Sequence, residues 1–433
     1  MRDGAARGRD GVEPLALESD IANVSALVSR KVRAGTYKFT SYRQLLLSKG
    51  ANRPPRMVSI PTARDRIVLK SLSFLIESVF SESKGKVPQA KVTELQRVLQ
   101  TQRFDAFVRL DIENFYPTIS HEAVMGVLQK KIRKPEILAL MQEAIRTPTL
   151  GDHAPRPEES PAKGVPQGLP ISNLLAEIAM HSVDTKFGTD PRIFYLRYVD
   201  DIIILCNANE SAKICDEVTA ACAAVSLTVH DPSVAGSKSR IGMMSDSFDY
   251  LGYVFSPGKV SVRPESISKI KSSLARVFTR YKYEVARRPD DEVFELKART
   301  ECLWKLNVVI TGCVFDGQRR GWIHYFSQVD DLSILKGLDA TVRNFALRFG
   351  MKEDFRPKTF TRAFWRITKG DATGEPYIPN FDNHSPDQKR RLLVEVFQMH
   401  DAETFSDETA QRHFYREVKR LVAKLEQDIS GLS

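Results

Sequence analysis

The central part of the chain alternates short apolar runs with acidic break points. Apolar residues dominate 193–196 and resume at 202–205, which predicts two β-strands joined by a tight turn. Residues 198–201 (Tyr-Val-Asp-Asp) fall at this break, so two adjacent acids are expected at the tip of the turn. A further apolar run at 107–112 includes Asp111 and predicts another short, buried strand. The pattern therefore predicts a sheet with carboxylates at the ends of its strands.

Helical spacing of apolar residues predicts helices on both sides of these strands. Ser120 is a predicted N-cap for a helix that begins near His121, and Ser172 is a predicted N-cap for the next helix. After Pro264 the apolar residues recur at helical spacing among basic ones. The order of strands and helices predicts a mixed α/β chain with a largely helical C-terminal part.

Three carboxylates are candidates for metal chemistry. Asp111, Asp200 and Asp201 would meet if their strands are neighbours in one sheet. Carboxylates on rigid strands suit Mg²⁺, and two such ions can clamp the oxygens of a phosphoryl transfer. Taken alone, an Asp-Asp pair is more often a solvated turn. A strand-terminal Asp is likewise often only a helix cap.

Five segments occur in the order of the motifs of reverse transcriptases. Residues 60–68 resemble the fingers motif of the bacterial enzymes, 107–121 motif A, 164–173 motif B, 198–201 motif C and 248–253 the primer-grip strand. The resemblance covers residues 45–330. It implies an α/β (α+β) right-hand polymerase fold, in which a ferredoxin-like palm carries an antiparallel sheet between fingers and a helical thumb.

The resemblance also divides the chain into expected parts. These are an N-terminal extension and fingers at 1–104, the palm at 105–260 with a fingers insertion near 126–165, the thumb at 261–350 and a helical C-terminal extension at 351–433. The first part is expected to be mainly helical, with one extended stretch at 57–60. The basic and aromatic stretch 355–367 could stack bases and hold phosphates, although such a stretch more often packs its aromatic rings inward.

The resemblance implies roles for the acids and for one lysine. Asp111 and Asp200 would be the essential metal ligands, and Asp201 a weaker third acid. Ile112 would lend its backbone carbonyl to the metal. Lys238 resembles the lysine of motif D, which could neutralise or protonate the departing pyrophosphate.

Substrate-binding roles follow from the same resemblance. Tyr116 would be the aromatic gate that crowds a ribose 2′-hydroxyl and so favours deoxynucleotides. Gln167 and Gly168 would contact the incoming nucleotide or the template. Arg64 and Arg66 would lie over the triphosphate, with Arg56 and Lys49 as further candidates.

These positions also have simpler interpretations. Tyr116 could be a core aromatic, and the Pro and Gly residues around Gln167 could form an ordinary turn. Arg64 and Lys49 could belong to a solvated basic face.

Composition limits the class of protein. The 433 residues include 64 basic and 54 acidic side chains, and the net charge of +10 suits a protein that follows a phosphate backbone. Five cysteines form no CxxC pair, which favours a reduced cytoplasm without structural zinc. No apolar run reaches the roughly 18 residues that a membrane span needs.

The expected function is RNA-directed DNA synthesis with two Mg²⁺ ions, Mn²⁺ being an alternative. The expected partners are an RNA template, in particular a dedicated non-coding RNA, its DNA product and dNTPs, and a second copy of the chain is a further candidate. Segments 173–180 and 377–382 resemble the stand-alone bacterial enzymes of abortive-infection and antiphage defence type.

Other functions stay open from the sequence. They are a protein-primed or untemplated DNA polymerase, a retron reverse transcriptase and a non-catalytic RNA-binding scaffold. The retron enzymes carry a Val-Thr-Gly element where this chain has Ile310-Thr311-Gly312, and intact acids argue against a scaffold.

Overall fold

The chain folds into two compact units, Met1–Met244 and Ser245–Ser433, called here the N-terminal unit and the C-terminal unit. The computed structural model describes residues 6–13, 16–17, 20–48, 54–81, 85, 87–155, 157, 160–289, 291–370 and 377–429. Both units combine helices with antiparallel strands. The α/β fold class predicted from the sequence is confirmed.

The N-terminal unit contains eight helices and seven strands within its described residues. The helices are α1 (Ile21–Arg33), α2 (Ala63–Val79), α3 (Pro88–Gln100), α4 (Phe115–Thr118), α5 (His121–Lys131), α6 (Pro135–Arg146), α7 (Ser172–Gly188) and α8 (Ser211–Ala224). The strands are β1 (Tyr42–Leu47), β2 (Arg56–Ile60), β3 (Ala106–Asp111), β4 (Thr149–Leu150), β5 (Phe194–Tyr198), β6 (Asp201–Cys206) and β7 (Arg240–Met243).

A four-stranded antiparallel sheet in the order β5-β6-β3-β7 forms the centre of this unit. Strand β3 lies between β6 and β7, and its register places Asp111 directly opposite Asp201. The predicted hairpin of β5 and β6 and the predicted strand β3 are therefore confirmed as neighbours in one sheet.

One face of this sheet is covered by helices. Side chains alternate across a strand, so Val108 and Leu110 of β3 lie on the same face as Ile202 and Ile204 of β6, and all four are buried in one hydrophobic core. Helix α7 packs on β5 and helix α8 on β3. The packed layer makes the sheet a rigid platform for the acids at its edge.

A second sheet differs from the sequence expectation. One extended stretch was expected at 57–60, and β2 matches it, but β2 pairs with a further strand, β1, that the helical expectation for 1–104 missed. Strand β1 also pairs in parallel with β4. The residues Leu45, Leu46 and Leu47 are exposed in β1, so the strand lacks the alternation of buried and exposed positions that identifies strands in a sequence.

The two predicted N-caps have different outcomes. Ser120 accepts a hydrogen bond from the Ala123 amide at the start of α5, as predicted. Ser172 is instead the first residue of α7, and its hydroxyl donates to the carbonyl of Pro166. The Ser172 side chain thus fastens the preceding loop rather than the helix end.

The C-terminal unit contains seven helices and five strands in its described part. The helices are α9 (Pro264–Ala286), α10 (Glu292–Thr311), α11 (Trp322–Tyr325), α12 (Leu332–Arg348), α13 (Phe360–Lys369), α14 (Pro386–Glu395) and α15 (Asp407–Gln427). The strands are β8 (Phe248–Tyr250), β9 (Tyr253–Ser256), β10 (Lys259–Val262), β11 (Cys313–Phe315) and β12 (Gln318–Arg320).

The strands of the C-terminal unit form one sheet in the order β10-β9-β8 and one β11–β12 hairpin. Helix α9 packs on α10 and α12, and α14 packs on α15. The helices therefore make up most of this unit, as the apolar spacing after Pro264 predicted. Over the residues described in either unit, every helix is too short or too polar to cross a bilayer.

Candidate active site

The paired strands β3 and β6 bring two of the predicted acids to one end of the central sheet. Asp111 is the last residue of β3, and Asp200 lies on the turn that precedes β6. The Ile112 amide donates to the Asp200 carbonyl oxygen at 3.1 Å, which joins the end of β3 to the turn. Asp111 contributes to the environment of the Asp200 carboxyl, whose pKa is raised by burial and by the negative charge of Asp111.

Two cationic or polar side chains contact the Asp111 carboxylate. Lys238 Nζ lies 3.0 Å from Asp111 Oδ1, and His230 Nε2 lies 3.3 Å from the same oxygen. The other ring nitrogen of His230 lies 3.4 Å from Glu113 Oε1. Sequence reasoning named Lys238 but missed His230, because nothing in its neighbourhood resembles a motif and only the bridge between Ile112 and Val229 brings it to the site.

The two adjacent acids of the turn have different surroundings. The sequence placed both at the tip, but Asp201 is the first residue of β6 and is 2 % exposed. Its Oδ1 accepts a hydrogen bond from Arg109 Nε at 3.2 Å. Burial raises the pKa of Asp201 to about 6 although Arg109 opposes the shift. Asp201 is thus paired with a cation, whereas Asp200 has no ion pair with any described residue.

A metal site is assembled only in part by these residues. The part of the chain that the structure describes contains no convergent group of three His, Cys, Asp or Glu side chains. Asp111 and Asp200 nevertheless offer two hard carboxylates, as many as Mg²⁺ takes from a protein when substrate phosphates complete its shell. Lys238, which lowers the pKa of Asp200, shows that a positive charge is accommodated beside both acids. The donor set therefore fits Mg²⁺.

The turn itself has an unusual backbone. Val199 has φ of +59°, a left-handed conformation that is costly for a β-branched residue. Its carbonyl oxygen accepts a hydrogen bond from Arg197 Nη1 at 2.8 Å. Because Arg197 lies on β5 and is buried, it holds the strained turn from within the core.

Arg197 is in turn fixed by two carboxylates of α7. Its Nη2 lies 2.6 Å from Glu177 Oε2, and its Nε donates to Asp184 Oδ1 at 2.8 Å. Glu177 and Asp184 are seven residues apart, which places them on one face of the helix. Helix α7 therefore positions the turn that carries Asp200. Arg197 was not predicted as a site residue, because nothing in the sequence indicates that an arginine within a strand is buried.

The loop before α7 is attached to β2. The Ser59 amide donates to the Gln167 carbonyl at 2.7 Å, and Arg56 Nε donates to Gln167 Oε1 at 2.6 Å. Gly168 has φ of +99°, and a Cβ there would lie 2.7 Å from Val58 Cγ1. Only glycine fits this close approach without strain. Gln167, Gly168 and Arg56 are thus brought together, a contact that was not predicted from the sequence, where Arg56 was placed with Arg64 and Arg66.

Tyr116 contacts the first turn of helix α7. Its ring is buried, and its hydroxyl donates to Asn173 Oδ1 on α7 at 2.8 Å. Burial raises the pKa of this hydroxyl to about 12, so it stays protonated and can donate. The neighbouring Phe115 is buried as well, and the two ring centroids are 5.5 Å apart.

The arginines of the predicted fingers motif lie on the first turn of α2. Arg66 Nε donates to the Pro61 carbonyl at 3.2 Å, and Arg64 Nη2 lies 3.5 Å from Thr40 Oγ1. No hydrogen bond or ion pair within the described ranges joins Arg64 or Arg66 to the three candidate metal ligands, which are Asp111, Asp200 and Asp201. Lys49, the other candidate, lies outside the described residues.

The comparison with protein families agrees with this geometry. Residues 48–255 match the family described as "Reverse transcriptase (RNA-dependent DNA polymerase)". This segment contains the acids, the turn and the loop before α7. Residues 48–255, just under half of the chain, therefore belong to the reverse transcriptase family of RNA-directed DNA polymerases.

Relatives with a known name share parts of the chain. Protein YkfC of Escherichia coli (strain K12) is 21% identical over 290 residues, which are 57% of this chain and 74% of YkfC. Group II intron-encoded protein LtrA of Lactococcus lactis subsp. cremoris is 24% identical over 164 residues, 36% of this chain but 27% of LtrA. The chain thus spans only about a quarter of the length of LtrA.

Solved structures resemble it more distantly. Telomerase from Candida albicans, in complex with a TWJ fragment of telomeric RNA, aligns with 92% of this chain and 63% of its own. The sequence identity is 10% and the TM-score 0.43.

Proposed function

We propose that the protein synthesises DNA on an RNA template at the site formed by Asp111 and Asp200. The observation that supports the proposal most is the junction between β3 and the turn, where the Ile112 amide binds the Asp200 carbonyl. This hydrogen bond fixes two carboxylates at one sheet edge inside a reverse transcriptase segment. Rigid placement of charged groups is what nucleotidyl transfer requires from a protein.

Metal binding is assigned to the same residues. Asp111 and Asp200, with the backbone carbonyl of Ile112, would hold Mg²⁺, or Mn²⁺ in its place. The ions would supply Lewis-acid activation of the primer hydroxyl and neutralise charge on the phosphates. Asp201 would be a third, weaker metal ligand, because its carboxylate is already paired with Arg109.

Lys238 acts on the same carboxylate in this proposal. Its Nζ contacts Asp111 while most of its side chain is exposed, so the ammonium group can move from the acid to an incoming phosphate. A lysine ammonium can balance charge on pyrophosphate and can donate a proton to it. His230 would remain to orient Asp111 when Lys238 leaves.

Nucleotide selection is assigned to Tyr116 and to the loop before α7. The hydrogen bond from the Tyr116 hydroxyl to Asn173 fixes the ring as a rigid wall, which would exclude a ribose 2′-hydroxyl. Gln167 and Gly168 would line the nucleotide or template, and Arg56 orients the Gln167 amide. Arg64 and Arg66 would bind the triphosphate from the start of α2, where the helix dipole also favours anions.

Primer extension on a defined RNA template tests the proposal. We expect the protein, with a DNA primer, dNTPs and Mg²⁺, to make DNA whose sequence is complementary to the template. Asp111→Asn should abolish the product, whereas the matched surface change Asp216→Asn on α8 should not. DNA of a sequence unrelated to the template would favour untemplated synthesis, and product bound covalently to the protein would favour protein priming.

The gate has its own test. Tyr116→Ala should allow ribonucleotides to be incorporated, because the wall is removed. Tyr116→Phe keeps the ring and loses only the bond to Asn173, so it should retain most of the discrimination. Equal discrimination in all three proteins would contradict the assignment of the gate.

We infer a cytoplasmic enzyme that copies a dedicated non-coding RNA during antiphage defence. The support is the resemblance of residues 173–180 and 377–382 to stand-alone bacterial defence enzymes. Phage should form plaques less efficiently on cells that carry the wild-type protein than on cells that carry Asp111→Asn. Equal plating over a broad phage panel would count against defence and leave the polymerase proposal unchanged.

A further inference from the structure

Helix α13 (Phe360–Lys369) in the C-terminal unit presents a basic stripe to solvent. Phe360, Ala363 and Phe364 are buried, so they fix the inner face of the helix. The stripe consists of four residues on the opposite face: Arg362, Trp365, Arg366 and Lys369. Their spacing of i, i+3, i+4 and i+7 places them in one row along the helix.

An exposed tryptophan lies in the middle of this stripe. Trp365 is 41 % exposed, although tryptophan is usually well buried. Lys369 Nζ lies 4.7 Å from the centroid of its ring, and the Phe364 ring packs against it at an interplanar angle of 73°. The inner ring thus orients Trp365, while a large part of its surface stays open to a ligand.

Two cations of the stripe, Arg362 and Lys369, are exposed and carry no ion pair among the described residues. Helix α13 itself contains three basic residues and no Asp or Glu. Neither Arg362 nor Lys369 has a carboxylate within ion-pair distance over the residues that the structure describes. Two exposed cations without ion-pair partners on one helix face attract a polyanion.

A second aromatic ring extends the stripe. The Tyr377 ring has Arg362 at 4.7 Å and Lys358 at 5.0 Å from its centroid. The Tyr377 hydroxyl accepts a hydrogen bond from the Thr359 amide at 2.8 Å, just before α13 begins. Tyr377 is therefore held beside the start of the stripe, and the surface alternates aromatic rings with cations.

We propose that this stripe, with Tyr377, binds single-stranded RNA outside the polymerase active site. Bases would stack on Trp365, and phosphates would contact Arg362 and Lys369. Stacking on aromatic rings combined with a basic row is how proteins bind single strands without reading their sequence. A duplex fits less well, because its bases are already stacked on each other. Every residue of the stripe lies in the C-terminal unit, whereas Asp111 and Asp200 lie in the N-terminal unit.

Tryptophan fluorescence gives a local test. The chain has three tryptophans; Trp322 is 1 % exposed and Trp304 packs against Phe381 and Phe397, which leaves Trp365 as the exposed one. Titration with an unstructured oligouridine of about 12 nucleotides, within the usual site size, should quench the fluorescence saturably. Trp365→Phe should remove this quenching, whereas Trp304→Phe should retain it.

Affinity and its salt dependence provide the second measurement. Trp365→Ala should weaken oligouridine binding about tenfold. Arg362→Gln combined with Lys369→Gln should reduce the slope of log affinity against log salt by about 1.4, as two phosphate contacts are lost. The matched pair Arg412→Gln and Lys424→Gln, both exposed on α15, should leave the quenching of Trp365 unchanged.

Several outcomes would overturn the proposal. One is oligouridine binding without quenching of Trp365, and another is equal affinity in the wild-type and Trp365→Ala proteins. Loss of extension on a short pre-annealed primer and template in Trp365→Ala would overturn the separation from the active site. Failure of the wild-type protein to extend a primer, with quenching intact, would contradict only the polymerase proposal.

Discussion

The turn that carries Asp200 in the N-terminal unit and the basic stripe of the C-terminal unit use charge in opposite ways. At the turn, Asp201 and Arg197 are buried, and each has an oppositely charged partner within 3.2 Å. On the stripe, Arg362 and Lys369 are exposed and have no carboxylate partner over the described residues. Buried pairs fix positions, whereas exposed, unbalanced charges attract a polyanion and leave it mobile.

The difference also separates the two kinds of effect that mutations should have. A change at the turn should alter both the rate of catalysis and the stability of the N-terminal unit. A change on the stripe should alter only the affinity for nucleic acid.

The two acids of the turn should differ strongly in their effect on rate. Asp200→Asn should lower single-turnover extension by about a thousandfold or more, because a metal ligand is lost. Asp201→Asn should cost about tenfold, because Asp201 supports the site through Arg109. Equal losses in the two variants would show that Asp201 has the same role as Asp200, and the contrast between them would be wrong.

Arg197 should matter more for stability than an exposed arginine with a similar number of partners. Arg197→Met leaves Glu177 and Asp184 without their cation and should lower the free energy of unfolding by about 3–5 kcal/mol. Arg192 pairs with two carboxylates as well, but on the surface, so Arg192→Met should change stability far less. Denaturant unfolding of both variants measures the difference, and equal destabilisation would refute the role of burial.

The glycine of the loop before α7 should tolerate no side chain. Gly168→Ala combines φ of +99° with a contact to Val58, and we expect a loss of about 1–3 kcal/mol in stability and weaker nucleotide binding. Gly126→Ala, in helix α5 with open space around it, should instead stabilise by up to about 1 kcal/mol. Thermal unfolding and the KM for dNTP report the two effects. A neutral Gly168→Ala would mean that the loop can move away from β2.

The buried His324 tests what happens to an ionisable group without a partner. Burial lowers the pKa of His324 to about 4, and neither ring nitrogen has a hydrogen-bond partner over the described residues. The unfolded chain, with a histidine pKa of about 6.5, binds the proton more readily than the folded unit. Stability should therefore fall as the pH drops from about 6.5 towards 4.

The size of this loss is about 2 kcal/mol between pH of about 7 and about 5 for His324 alone. Chemical unfolding of wild-type protein and His324→Gln at both pH values measures it. His400→Gln, an exposed histidine in the same unit, serves as the control and should keep the wild-type pH dependence. The same pH dependence in His324→Gln and wild type would show that His324 does not remain neutral in the fold.

The sequence predicted the parts of the site whose pattern is local. Strands β3, β5 and β6 follow from apolar runs broken by acids, and the loop before α7 from its Pro and Gly residues. The pairing of β3 with β6 could be inferred only from the resemblance, because register depends on contacts distant in sequence. Once the strands pair, the position of Asp111 opposite Asp201 is determined.

What the sequence missed depends on burial and on tertiary contacts. Arg197 and His230 are ordinary polar residues in the sequence, and only packing brings one under the turn and the other to Asp111. Strand β1 was missed because its exposed leucines break the alternation of a strand. Asp201 was placed at the tip of the turn because a sequence cannot show that Arg109 holds it in the sheet.

Sequencing of the nucleic acid that co-purifies with the protein tests the central claim most directly. Wild-type protein and Asp200→Asn would be isolated from cells with and without phage. We expect a discrete RNA with both proteins and complementary DNA only with the wild type. DNA of biased composition that matches no RNA, or the same nucleic acid with both proteins, would contradict templated reverse transcription by this chain.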